Sequence, residues 1–271
     1  MKLKFYHLDA FTDKLFGGNS AGVCPLQEWL PDSLMQQVAM ENNLSETAFY
    51  VRESGGYRVR WFTPKVEVDL CGHATLAAAF VLFNFEGYAG NEISFNSRSG
   101  LLHVRKDNAL LTLNFPSDEL QQIELTAGAR ACFKEKPIEA WKGKSDLMLV
   151  FANENQVASL EPDLKAIAQL DARGLIATAK GDTVDFVSRM FAPQCGIDED
   201  PATGSAHTTL TNYWAPRLGK KELAAIQLSA RRAYLRTKDL GERVEISGNV
   251  VMYLEGMITV PVGAVAGAKV S

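Results

Sequence analysis

Short runs that alternate apolar and polar residues, or that are rich in β-branched and aromatic side chains, recur along the chain. KLKFYHL (2–8), TAFYV (47–51), YRVRWF (57–62), GLLHVR (100–105), ALLTLNF (109–115), DFVSRMF (185–191) and VVMYLEGMITV (250–260) read as strands. Few stretches are long enough for helices. PDSLMQQVAMENN (31–43) opens with Pro-Asp-Ser, a helix-start signal. GHATLAAAFVLFNF (72–85) is apolar on nearly every face, which predicts a helix buried on all sides. SAHTTLTNYWAPRLG (205–219) is its counterpart, ended by Pro216 and Gly219. FTDKLFGGNSAGVC (11–24) reads as a loop, with Gly17–Gly18 giving a tight backbone before a strand.

The pattern is written twice. RWFTP (60–64) matches RMFAP (189–193), each after a β-type run and before an acidic loop. Each loop enters a helix through a glycine, in DLCGHATLAAAF (69–80) and DPATGSAHTTLTNYW (200–214). Aligning Gly72 with Gly204 needs only a three-residue insertion in the second copy. Upstream, LMQQVAMENNLSETAFYV (34–51) lies opposite DLKAIAQLDARGLIATA (163–179), which places Glu46 against Ala177. The alternative is a chance likeness of two strand–loop–helix units, but the order and spacing of three elements agree. The expected fold is α+β, with two pseudo-symmetric halves, 1–118 and 119–271. Each is a curved, mostly antiparallel sheet around one buried helix.

Composition narrows the function. Of 271 residues, 46% are hydrophobic and 22% charged, which excludes a wholly disordered chain. Lys and Arg number 28 against 32 acidic residues, a net charge of −4 that speaks against a general nucleic-acid binder or an acidic-lipid binder. The longest apolar stretch, Ala74–Phe83, is far short of the ~18–20 residues that span a bilayer. No signal peptide is read at MKLKFYHLDAF. Four scattered cysteines without a CxxC pair read as reduced thiols, so a cytoplasmic location is expected. The four histidines form no HExxH or HxH pair, so no metal site is expected. GSAH lacks a GxSxG elbow, and GGNSAG is neither a Walker A motif nor a dinucleotide fingerprint.

The chemistry sits where the copies differ. A helix start presents free N–H groups and partial positive charge, which suits a carboxylate and the charge that develops when a neighbouring proton is removed. Gly72 and Gly204 occupy these starts. Glu46, His73 and Cys71 stand in the first copy against Ala177, Ser205 and Thr203 in the second. Plainer readings exist for each. Glu46 suits a solvated position or a helix cap, and His73 a bond to nearby backbone. Asp200 before Pro201 suits an N-cap, as do Thr203 and Ser205.

GGNSAGVC (17–24), NNLSETAF (42–49), RWFTP (60–64), DLCGHATLAAA (69–79) and DEDPATGSAH (198–207) together resemble the PhzF-like family of phenazine biosynthesis, which has the diaminopimelate-epimerase-like fold. The resemblance implies an active site in the cleft between the halves, no metal, no organic cofactor and a homodimer. It implies a cofactor-independent isomerase acting on a small carboxylate such as trans-2,3-dihydro-3-hydroxyanthranilate. Glu46 of the SET motif corresponds to the acid/base, and His73 and Asp200 to its catalytic partners. Ser205, with Thr203 and the backbone at Gly72 and Gly204, would bind substrate. A partly buried carboxyl suits that work, because burial moves its proton exchange toward neutrality. The epimerases of the fold use two thiols instead. Cys71 is one candidate here, but Thr203 holds the matching place, and Cys195 lies five residues before Asp200. The remaining alternative is a family member that binds a protein or small molecule without turning it over.

Overall fold

A computed structural model describes residues 1–261. The chain opens with β1 (Lys2–Ala10), β2 (Asn19–Leu26), α1 (Asp32–Asn42), β3 (Glu46–Glu53), β4 (Gly56–Phe62), β5 (Glu67–Val68), α2 (Gly72–Asn84), β6 (Glu92–Ser97), β7 (Gly100–Asp107) and β8 (Leu110–Pro116). β1 and β2 are antiparallel, and α1 carries the chain across to a parallel β3. β3 and β4 form an antiparallel hairpin. α2 then makes a second crossover to β6, parallel to β4, before β7 and β8 follow antiparallel. Parallel neighbours need such a connection, and the two helical patterns of this half supply it.

The order then repeats. β9 (Gln121–Ile123), α3 (Ala127–Ala131), β10 (Glu139–Lys142), β11 (Asp146–Val150), α4 (Glu154–Ser159), α5 (Leu164–Ala168), β12 (Gly174–Lys180), β13 (Phe186–Ala192), β14 (Ile197–Asp200), α6 (Gly204–Leu218), β15 (Glu222–Gln227), β16 (Ala233–Asp239) and β17 (Arg243–Gly248) come next. β11 and β12 are parallel across α4 and α5, β12 and β13 form the hairpin, and β13 and β15 are parallel across α6. The expected repeat is therefore a repeat of topology within each unit. The expected α+β class holds as well.

The two compact units do not divide the chain once. Among the described residues, one comprises 1–113 and 249–261; the other is Asn114–Gly248. β18 (Val250–Thr259) runs antiparallel to β1, so the end of the expected second half, 119–271, belongs to the first unit. β9 edges β10 in the second unit in the same antiparallel sense. Each unit thus gains an outer strand beside its first one, from a different part of the chain.

Period two assigns the faces of β3, whose first six residues are all buried. Phe49 and Val51 join Leu34, Met35 and Val38 of α1, with Phe5, Cys24 and Phe62, in one apolar cluster. Glu46, Ala48 and Tyr50 point the other way, to the face covered by α2. The second unit follows suit. Leu175, Ala177 and Ala179 of β12 meet Val157, Leu160 and Ile167 of the outer helices, while Thr178 accepts a 3.0 Å hydrogen bond from Trp214 of α6. α2 is buried along most of its length, as an all-round apolar helix must be. α6 runs through Pro216, in its last turn, and stops at Gly219, whose φ of +64° is left-handed. A proline near a C-terminus removes one hydrogen bond without breaking the turns before it.

Leu76 is fully buried in α2, and Leu101 on β7 is half exposed. Leu76→Ala should lower the urea-unfolding free energy by about 2–5 kcal/mol. Leu101→Ala should leave it within about 0.5 kcal/mol.

Candidate acid–base site

The RWFTP and RMFAP motifs brace the loops that lead to the two buried helices. Arg60 on β4 grips Glu67 with two hydrogen bonds of 2.7 Å, and Arg189 on β13 grips Glu199 with bonds of 2.7 and 2.9 Å. These forked, charge-assisted pairs hold each loop against the strand it left. The paired glutamates lie seven and ten residues after their arginines, which places the three-residue insertion between arginine and glutamate.

In the first unit the braced loop ends at Cys71, an extended residue without a side-chain cap, and α2 starts at Gly72. His73 is 5% exposed and Glu46 8%. Glu46, first in β3 on the face toward α2, brings Oε2 to 3.0 Å from His73 Nε2. Among the described residues, that Oε2 accepts no aligned hydrogen bond. Cys71 Sγ lies 3.5 Å from His73 Nδ1, and the fully buried Asn19 brings its amide nitrogen to 3.2 Å from the same atom. Asn19 is delivered by the GGNSAG turn. Gly18 has φ +57°, and a Cβ there would meet the Ala10 carbonyl oxygen at 2.0 Å, so only glycine fits. The Asn19 amide suits either charge of the ring. Its NH2 donates to a bare Nδ1, and its carbonyl, with the amide turned over, accepts from a protonated one.

Burial alone would push His73 down, but the charges of Cys71 and Glu46 outweigh it and hold the imidazole well above its ordinary value. Burial, then Glu46, pushes the Cys71 thiol up to about 11. The sulfur is therefore protonated near neutrality, and Glu46 is the partner that favours an imidazolium there. Glu46, Cys71 and His73 offer one oxygen, one sulfur and one nitrogen within 4.8 Å of one another, a donor set that suits a zinc-like ion once the thiol ionises. The raised thiol opposes that step.

The second unit is built differently at the same places. With Arg60 and Arg189 equivalent, the ladders pair Phe49 with Arg60 and Ala177 with Arg189. Counting back three residues, Glu46 corresponds to Gly174, not to Ala177 as the sequence alignment had it. The parallel neighbours confirm the register, Ala21 beside Glu46 and Asp146 beside Gly174. Thr203 occupies the N-cap position of α6 but does not cap it; its hydroxyl donates to Asp200 Oδ2 at 2.6 Å. Asp200 is likewise no N-cap. Gln227, 1% exposed, fixes this loop by donating to the Asp200 carbonyl (2.6 Å) and accepting from the Thr203 N–H (2.8 Å). The Ser205 hydroxyl meets Arg173 Nη2 at 3.1 Å, and Arg173 forks onto the buried Asp146. His207 is fully buried, held by the Thr203 carbonyl at 2.8 Å, and burial pushes it down to about 4, so it is a neutral, structural histidine.

The profile of the family described as "Phenazine biosynthesis-like protein" matches residues 8–256. The chain belongs to the PhzF-like family. It is 47% identical over 258 residues to an uncharacterized isomerase of Pseudomonas aeruginosa, covering 95% of this chain and 99% of that one. The crystal structure of an Enterococcus faecalis PhzF family protein superposes with a TM-score of 0.94 at 44% identity, covering 96% and 100% of the two chains. A hydroxyproline epimerase from Agrobacterium vitis shares the fold, with a TM-score of 0.59 at 9% identity over 95% and 92%. The PhzF-like chain is thus a member of an isomerase family on an epimerase-like fold. Among the described residues, no helix is long and apolar enough to cross a membrane.

Within this PhzF-like chain, the structure brings Glu46, His73 and Cys71 together at the start of α2, and Asp200, Thr203, Gly204 and Ser205 together at the start of α6. Sequence reasoning passed over Asn19, Gln227, Asp146 and Arg173. Asn19 lay inside a quoted motif. The others carry no local signal, because their partners are 24 to 32 residues away. His103 on β7 bonds Ser94 at 3.1 Å, a structural placement, and His7 meets the edge of Tyr253.

Two tests follow from the geometry. His73 has a raised folded-state value against ~6.5 when unfolded. Its contribution to stability is complete below pH about 6.5 and fades as pH rises through the folded value. The difference in unfolding free energy between wild type and His73→Gln should therefore shrink from pH 6 to pH 9. Cys195 is exposed, whereas Cys24, Cys71 and Cys132 are buried, the last two with thiols pushed up to about 11 by burial. Iodoacetamide at pH 7.5 should alkylate Cys195 rapidly and the other three only on unfolding, read by peptide mass spectrometry; rapid labelling of Cys71 would contradict this geometry.

Proposed function

We propose that this protein isomerises a small carboxylate substrate by acid–base proton transfer without an organic cofactor, with Glu46 taking a proton from one carbon and returning it to another. The observation that carries this reading is the buried pair of Glu46 and His73, with Glu46 Oε2 3.0 Å from His73 Nε2. A carboxyl set beside an imidazole can take up and return a proton, and burial keeps that proton from bulk water between the two transfers. His73, fixed by Asn19, stands beside the carboxyl and balances its charge. Asp200 is the orienting group of the second unit, where Ser205, Thr203 and the Gly204 N–H suit a carboxylate, as the Gly72 N–H does in the first unit. α2 and α6 carry no side-chain cap, which leaves their first N–H groups to a ligand. The proton that leaves one carbon arrives at another, so atoms and charge balance with no external reagent. trans-2,3-Dihydro-3-hydroxyanthranilate is the first substrate to try.

The thiol-based alternative fares worse. Cys71 is held as a thiol by burial, and its counterpart in the second unit is Thr203.

Proton NMR of dihydro-hydroxyanthranilate in deuterium oxide tests the proposal. Wild type should convert the compound or place deuterium on its ring, and Glu46→Gln should slow this by roughly 10²-fold or more. Equal turnover by the two proteins would refute the role of Glu46.

A further inference from the structure

In the second unit the position equivalent to Glu46 is Gly174, and the residue before it is Arg173. Arg173 Nε donates to Asp146 Oδ1 at 2.9 Å, and Nη2 forks onto Oδ2 of the same carboxylate. Asp146 is 4% exposed, while the Arg173 side chain is 41% exposed. The backbone is pinned too, since the Arg173 N–H donates to the Ser145 carbonyl at 2.7 Å. One edge of the guanidinium is thus locked to a buried acid. The other edge is turned to the first turn of α6, where Nη2 also reaches Ser205 Oγ at 3.1 Å. Among the described residues, Nη1 donates to none. The equivalent positions of the first unit differ. Ala21 stands where Asp146 does, and the helix start faces a carboxyl, Glu46. The duplicated frame therefore carries an acid at one helix start and an aimed cation at the other.

We infer that Arg173, aimed by Asp146 and flanked by Ser205, is a specificity-determining residue that binds the carboxylate of the ligand, an assignment that rests on the proton-transfer reading above. A planar guanidinium with free N–H groups matches a carboxylate in plane. The buried Asp146 prevents the side chain from swinging away, so little rotamer freedom is lost on binding. Asp200 also acts on Arg173 through its charge. That neighbour disfavours a dianion, so the fitting ligand is a monocarboxylate rather than a phosphate.

Calorimetric titration of the whole protein tests this without turnover. The probes are anthranilate, 2-aminophenol (which lacks the carboxylate) and inorganic phosphate, all at one ionic strength. Arg173→Gln alone would strand Asp146 without its charge partner, so Arg173→Gln is combined with Asp146→Asn, and Arg173→Lys is measured beside it. Folding of each variant is confirmed by circular dichroism. Anthranilate affinity should fall roughly 10- to 100-fold in the double variant, the size of a lost charged hydrogen bond, and less in Arg173→Lys. 2-Aminophenol should bind all forms alike, and phosphate should not displace anthranilate. An unchanged anthranilate affinity, an equal loss for both aromatic probes, or no saturable anthranilate binding by wild type would overturn the assignment. Failure of the proton-transfer reading looks different: anthranilate binding would stay dependent on Arg173 while Glu46→Gln turned over like wild type.

Discussion

A helix that is apolar all round, as α2 is, has to be covered on every side, and the more polar α6 is buried along most of its length as well. α2 and α6 supply the crossovers between parallel strands, so the sheet has to fold about them rather than lie flat on one flank. Covering the helix also covers its first turn. A helix start in water would have its free N–H groups satisfied by solvent; a covered one has to find partners or keep a place for a ligand. The same burial puts His73 out of water, so it carries a proton only through the groups packed beside it, Cys71 and Glu46.

The forked arginines connect this packing to the chemistry. Arg60 and Arg189 each leave a hairpin strand and hold the glutamate of the next loop. Without that grip, the residues just before Gly72 and Gly204 would be ordinary loop. With it, Cys71 and Thr203 are set in extended backbone at the mouth of the helix. This explains why the arginine-aromatic motif is the part of the repeat that reads most clearly: it serves the same mechanical purpose twice. The residues beyond it diverge: Glu46, Cys71 and His73 meet at one helix start, and Arg173, Asp146 and Ser205 at the other.

Many strands, the two buried helices and the doubling were legible in the sequence because each rests on local information; β2 was not, since residues 11–24 read as a loop whereas Asn19–Leu26 is a largely buried strand without period-two alternation. Period two, uninterrupted apolar character and a repeated pentapeptide can all be read within a dozen residues. The grouping of Glu46, His73 and Cys71 was legible as a set of candidates from their motifs and from resemblance. Their burial was not. A carboxyl at the head of a strand is solvated or enclosed according to which face the strand turns inward, and that depends on α1 and α2 together. The register of the second copy was lost for a related reason. ETAF and IATA look alike as strings, whereas the hydrogen-bond ladder counts residues and places Gly174 against Glu46.

Sequence alone therefore determined many of the elements, their order and the residue types able to do proton chemistry, since these follow from short-range propensity and composition. Tertiary structure decided which of them meet. It returned the last strand to β1, because an edge strand pairs with whatever backbone is free rather than with its neighbour in the chain. It set Asn19 on His73 across 54 residues, Gln227 on Thr203 across 24 and Arg173 on Asp146 across 27. No local pattern encodes such contacts. They exist because burying a polar group without a partner costs more than ordering a distant side chain to supply one.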